Sequence, residues 1–155
     1  MLFNADRACR RYTAATKTEQ QHEDENMSYE FNVTLDLPFD EALEKVKKVL
    51  MDHHLGVVSD VDVQAIFKNK MGKEIPAYHI YGACNPKLAD RVISAEPNAG
   101  TLLPCNFVMY EKDGKTVVSF MDPVPVLGLS SAEEVNAVAK EAREILQKVA
   151  AELKG

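Results

Sequence analysis

The first regular pattern along the chain is an alternation of apolar and polar residues that begins at Tyr29. The apolar positions are Tyr29, Phe31, Val33, Leu35 and Leu37. A period of two is typical of a strand with one buried face. From Phe39 to His53 apolar residues instead recur every three or four positions, which predicts a long helix. Pro38 suits the first turn of that helix, and Gly56 suits the left-handed position after its end.

Shorter elements are predicted in the middle of the chain. The run GVVSDV predicts a short strand, and Asp62 then caps a short helix that Gly72 ends. The apolar side chains of this helix that we expect to face inward are Val63, Ile66, Phe67 and Met71. The segment AYHIYGAC predicts a third strand. Asn85 followed by Pro86 is a helix-start signature, and this helix is expected to end before Pro97.

The last third of the chain predicts a hairpin and a second long helix. Segments TLLPCNFVMYE and TVVSFMD have strand composition, and Asp113-Gly114 between them is a strong hairpin signal. A helical apolar stripe follows, with Ser131 and Glu134 at the spacing of a capping box. This order predicts an α+β fold: a mainly antiparallel sheet of about five strands, two long helices on one face, and short helices between strands.

The regular patterns are confined to residues 29–155, which we predict to form a single α+β domain. Residues 1–28 include the polar stretch TKTEQQHEDENMS, whose composition is typical of a disordered tail. The first part of that tail contains arginines but lacks the apolar core of a secretory signal.

Composition narrows the expected partners and location. A net charge of −6 argues against nucleic-acid binding, because proteins that bind the phosphate backbone carry a basic face. No apolar run approaches the roughly 20 residues of a membrane span, so we expect no membrane association. Cys9, Cys84 and Cys105 lack metal-finger spacing and fit a reducing compartment, which predicts a cytoplasmic protein.

Two Cys-Asn dipeptides, Cys84-Asn85 and Cys105-Asn106, are the strongest candidates for a functional site. Cys84 ends one predicted strand and Cys105 begins the next, so the two thiols lie at one end of the sheet if those strands pair antiparallel. Cys84 also precedes a helix N-terminus, which lowers the pKa of a thiol and favours an anion. Asn85 is explained as a helix cap, whereas Asn106 lies in a strand and needs a hydrogen-bond partner. The alternative is that both thiols only pack as small apolar groups.

His79 and Arg91 are weaker additions to this site. His79 lies five residues before Cys84, and an odd separation places the two side chains on opposite faces of a regular strand. We therefore predict no metal site. The sequence contains no dinucleotide-binding, P-loop, zinc-protease or nucleophile-elbow motif, and it identifies no cofactor and no catalytic residue.

Three passages, IYGACNP, AEPNAGTLLPCN and DPVPVLG, occur in the order and spacing of a known family. In these passages the chain resembles the family catalogued as domain of unknown function 302, over about residues 29 to 153. The resemblance implies a small α+β fold and a homodimer, and it supplies no activity. The apolar, proline-broken run PVPVLGL is difficult to place inside a small core and also favours a dimer.

Three functional hypotheses fit these residues. The first, which we favour, is a small dimeric, non-enzymatic binding or sensor module with a small-molecule site near Cys84 and Cys105. The second is a thiol-dependent redox enzyme or carrier that uses the same cysteines. The third is a purely structural or interaction domain. A depressed thiol pKa with fast alkylation supports the second, and slow alkylation until unfolding supports the third.

Overall fold

The structure, a computed structural model, describes residues 28–155. The tail predicted over residues 1–28 therefore lies outside the described residues, apart from Ser28. The strands are β1 (Glu30–Leu35), β2 (Gly56–Asp62), β3 (Tyr78–Cys84), β4 (Cys105–Lys112) and β5 (Lys115–Met121). They form one sheet in the order β1-β5-β4-β3-β2, in which all neighbouring strands are antiparallel.

Helices connect the strands and follow the last one. They are α1 (Phe39–Asp52), α2 (Val63–Met71), α3 (Pro86–Ala95), a 3₁₀ helix (Pro97–Leu102), α4 (Pro123–Leu127) and α5 (Glu133–Lys154). The predicted α+β class, with an antiparallel sheet of five strands, is confirmed. No helix in residues 28–155 is both long enough and apolar enough to cross a membrane.

Local sequence signals fix several of these boundaries. Asp113 and Gly114 both have positive φ angles, 53° and 76°, as the two-residue turn between β4 and β5 requires. The side chain of Asp62 accepts a hydrogen bond from the backbone N–H of Ala65 and caps α2. Gly72 takes the left-handed conformation that ends the same helix, with φ of 63°.

Two predicted helix boundaries are wrong. Helix α1 ends earlier than expected, because His54 (φ 62°) takes the left-handed position and Gly56 is already the first residue of β2. Ser131 does not cap α5, which has Ala132 at its N-cap and no side-chain cap. The buried Ser130 anchors this helix start instead, since its hydroxyl accepts from the backbone N–H of Ala132 at 3.2 Å.

The main core lies between one face of the sheet and the two long helices, α1 and α5. The strand registers place Tyr81 opposite Phe107 and Phe107 opposite Phe120, so these rings share one face. Buried residues of this core include Val33, Leu35, Tyr81, Ala83, Phe107, Met109, Val118 and Phe120 from the sheet, and Ala42, Val46, Leu50, Leu146, Val149 and Leu153 from the helices. The predicted placement of both long helices on one face follows from these shared contacts.

A second, smaller core packs α3, the 3₁₀ helix and α4 against the start of α5. Its buried residues are Val92, Ala99, Leu127, Val135, Val138 and Ala139. The run PVPVLGL forms α4 and the turn after it, where Pro123 and Leu127 are buried, so the run lies only partly inside the fold, as the sequence suggests. Pro125, Gly128 and Leu129 of this run are exposed, Leu129 to 78%.

Helix α2 buries less than its sequence suggests. It packs on β3, yet none of its residues is fully buried, and Ile66 (45% exposed) and Met71 (61% exposed) face solvent. The side chains of α2 are poorly buried because this helix only connects the edge strand β2 to the neighbouring strand β3. The prediction that all four apolar residues of α2 face inward is therefore wrong.

The second face of the sheet is more open than the face that carries α1 and α5. Side chains on this face, including Asn32, Tyr78, Val108 and Tyr110, are exposed or half-buried. They line a groove of about 420 Å³, in which the rings of Tyr78 and Tyr110 stack at 5.5 Å between centroids.

Candidate functional site

Cys84 and Cys105 lie at the same end of the sheet, as the sequence suggests. Cys84 is the last residue of β3, Cys105 is the first residue of β4, and Ala83 lies directly opposite Cys105. Both thiols are half-buried, neither forms a disulfide within residues 28–155, and both line one cavity together with Asn85. The cavity, of about 30 Å³, lies between this end of the sheet and helices α3 and α5.

The rest of the cavity wall is almost entirely apolar. Its side chains include Leu88, Ala89, Val92, Leu103, Leu127 and Leu146. Ligand sites have this composition, with many apolar side chains and few polar groups. A volume of about 30 Å³ admits only two or so atoms the size of a water oxygen.

The two thiols are kept in their neutral form. Burial, and after it the charge of the neighbouring Cys84 thiol, together raise the pKa of Cys105 to about 11. Burial also raises the pKa of Cys84, which contradicts the expectation that the N-terminus of α3 lowers it. Neither thiol is therefore a reactive thiolate near neutral pH.

Asn85 occupies the helix N-terminus that the sequence suggests as an activator of Cys84. Its side-chain oxygen accepts hydrogen bonds from the backbone N–H groups of Lys87 and Leu88, at 3.0 and 3.3 Å. These are the groups that would otherwise favour an anion in front of the helix. Asn85 is confirmed as the cap of α3, and it also lines the cavity.

Asn106 does not share this cavity. It lies opposite Gly82, one residue beyond the Cys105–Ala83 pair, so its side chain projects from the other face of the sheet. There it is exposed and lines the 420 Å³ groove with Tyr78 and Tyr110. Of the two Cys-Asn dipeptides, Cys84, Asn85 and Cys105 thus share the cavity, and Asn106 alone lies on the other face of the sheet.

His79 lies at the far end of β3 from Cys84. Its Nδ1 atom is 2.6 Å from Oδ1 of Asp60, and its ring stacks on Tyr81 at 5.4 Å between centroids. No three His, Cys, Asp or Glu side chains in residues 28–155 are grouped so that they could hold a metal ion. His79 is therefore separate from the thiol cavity.

Arg91 is also outside the cavity and joins α3 to α5. Its Nε donates to Glu134 at 2.5 Å and its Nη1 donates to Glu141 at 2.6 Å. These two hydrogen bonds raise the pKa of the guanidinium, which stays charged. Arg91 thus holds the helix that forms one wall of the cavity.

The sequence analysis did not identify a group of polar side chains at the corner of the sheet around His79, formed by His79, Tyr81, Asp60 and Asp62. Tyr81, which is 1% exposed, lies next to it on the same strand face, and its hydroxyl has no hydrogen-bond partner among the described residues. Asp60 and Asp62 of β2 lie opposite Tyr81 and His79, respectively. A shift in register between Val57 and Ser59 sets this pairing, and the β2 sequence alone carries no signal of it.

Comparison with known proteins gives the family. The sequence matches the family described as Domain of unknown function DUF302 over residues 31–153. The chain belongs to this family. No curated protein matches this chain. The resemblance inferred from IYGACNP, AEPNAGTLLPCN and DPVPVLG is thereby confirmed.

One solved structure similar to this DUF302 chain is described as that of an uncharacterized conserved protein DUF302 from Bacillus stearothermophilus. It superposes with a TM-score of 0.72 at 22% sequence identity, covering 79% of this chain and 96% of that chain. At this identity the likeness shows the fold alone. Neither name states an activity, so function must be argued from the site.

Proposed function

We propose that this DUF302 chain is a non-enzymatic binding module that holds a small apolar group in the cavity behind Cys84 and Cys105. The observation that carries the proposal is the cavity itself. Protein interiors are normally filled to the density of organic crystals, and here apolar walls leave a space beside half-buried polar groups. Its size suits one end of a ligand, such as a terminal methyl or ethyl group.

The neutral thiols argue for binding rather than thiol chemistry. A redox enzyme or carrier needs a thiolate near neutral pH, whereas burial raises the pKa of both Cys84 and Cys105. The two sulfurs instead add soft, polarizable surface to an apolar wall. A purely structural role for these residues is the remaining alternative, and it predicts a cavity that binds nothing.

Native mass spectrometry of the purified full chain tests this proposal. We expect a bound small molecule of fixed mass, and we expect Ala89→Leu to abolish it because the longer side chain fills the cavity that Ala89 lines. Ala95→Leu is the matched control, since Ala95 is exposed on the same helix. Loss of the adduct in both variants, or no adduct in the wild type, would favour the structural role.

We propose further that two copies associate through the open face of the sheet. Glu30 lies at one end of this face, and Lys112 and Lys115 lie at the other end, across the length of the strands. If a two-fold axis relates the two copies so that their strands run in opposite directions, Glu30 of one copy lies near Lys112 and Lys115 of the other copy. The apolar surface between them, around Val108 and Tyr110, supplies the contact.

Light scattering tests the dimer. We expect a mass near twice 17.2 kDa at micromolar concentration. Val108→Lys places a charge at the centre of the open face and should return the mass to that of one chain. The control is Ile93→Lys, a change at an exposed position on α3, which should leave the dimer intact. A single-chain mass in the wild type would refute the association.

A cytoplasmic location is the third part of the proposal. Cys84 and Cys105 form no disulfide with each other although they line the same cavity, which fits a reducing compartment. Cell fractionation of the tagged full chain, with a secreted marker protein as the reference, tests it. Recovery of the chain with the secreted marker would contradict the proposal.

A further inference from the structure

Three carboxylates lie at the corner where β2, β3 and α1 meet, which also contains the buried phenol of Tyr81. Asp60 and Asp62 project from β2 beside Tyr81 and His79, and Asp40 lies in the first turn of α1. Burial, and after it the charges of Asp60, Asp62 and Asp40, raises the pKa of the Tyr81 hydroxyl. The hydroxyl itself is buried and has no hydrogen-bond partner among the described residues.

The corner carries more negative charge than its neighbours neutralise. Within residues 28–155, Asp60 and Asp62 form ion pairs only with His79, and Asp40 forms none with a Lys or Arg side chain. His79 is neutral or singly charged, so at least two negative charges remain. A buried hydroxyl without a partner costs free energy, which a ligand that supplies a hydrogen bond would recover.

The chemistry of the corner selects an organic cation. The described side chains offer no group of three donors that could hold a metal ion, so a bare metal ion does not suit the corner. A protonated amine carries up to three N–H donors on one positive centre, and its hydrogen bonds can reach acceptors that are further apart than the ligands of a metal ion. It can donate to Asp60 in place of His79 and to the oxygen of the Tyr81 hydroxyl.

We propose that this corner binds the protonated amine of a small organic molecule, with Asp60, Asp62 and Asp40 supplying the charge and the Tyr81 hydroxyl accepting a hydrogen bond. The imidazole of His79 stacks on Tyr81, and its ring centroid is 5.2 Å from that of Phe39. In this proposal the imidazole covers the site and rotates away when the amine enters. This site lies at the opposite end of β3 from Cys84 and does not depend on the cavity there.

The test is a titration of the full chain with ethylammonium chloride at about pH 7. Binding is monitored by nuclear magnetic resonance of the backbone and of the His side chains. We expect saturable shifts centred on Asp60, Asp62, His79 and Tyr81. Asp60→Asn should weaken the affinity by about tenfold, because it removes one full charge from the site. Asp90→Asn, an exposed change on α3, is the control and should bind as the wild type does.

Tyr81→Phe decides the role of the hydroxyl. It keeps the ring that stacks on His79 and Phe107 and removes only the oxygen. We expect the affinity to fall severalfold while the melting temperature does not fall. Absence of saturation in the wild type overturns the proposal. Equal affinity in Tyr81→Phe also overturns it, because the exposed carboxylates alone would then hold the amine.

Discussion

Raising the pH from about 8 to about 11 should lower the free energy of unfolding through the thiol of Cys105. Burial in the apolar wall raises the pKa of this thiol from its ordinary 9.0 to about 11. Between these values the unfolded chain has lost the thiol proton and the folded chain keeps it. The unfolded state then binds fewer protons, so stability falls as pH rises through this window.

The magnitude follows from the two pKa values. The interval from 9.0 to about 11, at about 1.4 kcal/mol per pH unit, corresponds to about 3 kcal/mol as an upper bound. This contribution is fully present below pH 9 and fully lost above pH 11. It is a large part of the stability of a small domain, for which about 5 to 15 kcal/mol is usual.

Urea unfolding at a series of pH values, for the wild type and for Cys105→Ala, measures the effect. Lysine and tyrosine groups titrate in both proteins, so the difference between the two curves isolates the Cys105 thiol. We expect the stability advantage of the wild type over Cys105→Ala to shrink between pH 9 and 11. A constant difference across this window would show that the folded thiol ionises freely, and the burial of Cys105 in the apolar wall would then be wrong.

Three further predictions concern other parts of the chain. Gly82→Ala should destabilise the domain by about 1 to 3 kcal/mol in urea unfolding, because the added Cβ overlaps the side chains of Pro104 and Ser59. Gly100→Ala, which meets only Ile93 at 3.9 Å, should change stability far less, and equal effects would contradict the reasoning. Without a bound amine, Tyr81→Phe should leave stability unchanged or raise it by about 1 kcal/mol, because it removes a buried hydroxyl that has no partner in the described structure; a clear loss would mean that the hydroxyl is already satisfied. A chain that starts at Met27 should keep the melting temperature of the full chain within a few degrees, since polar segments bury little surface; a much larger drop would show that the removed residues pack on the domain.

The fold was largely predictable because its local signals agree with one another. The alternation in β1, the helical stripe of α1 and the Asp113-Gly114 turn each specify one element and one boundary. The errors occur where tertiary contacts override a local signal. The left-handed φ fell on His54 rather than on a glycine, and the buried Ser130 replaced Ser131 at the start of α5.

The candidate site was predictable only in part. The meeting of Cys84 and Cys105 follows from strand order, but the direction of their pKa change depends on burial, which the sequence does not state. Asn106 was assigned to the same site because it follows a cysteine, although neighbouring residues in a strand face opposite sides. The corner around Tyr81 depends on the register between β2 and β3, which a single sequence leaves open.

The most direct test of the binding proposal is a titration with dissolved methane monitored by methyl-group nuclear magnetic resonance, because methane has the size of the terminal methyl group that the cavity suits and needs no polar contact. We predict saturable shifts confined to methyl groups of the cavity wall, such as those of Leu88, Leu103 and Leu146, in the wild type and in Ala95→Leu. The same shifts should be absent in Ala89→Leu. Shifts that do not saturate, or that persist unchanged when Ala89 is enlarged, would show that the space behind Cys84 and Cys105 is not a binding site.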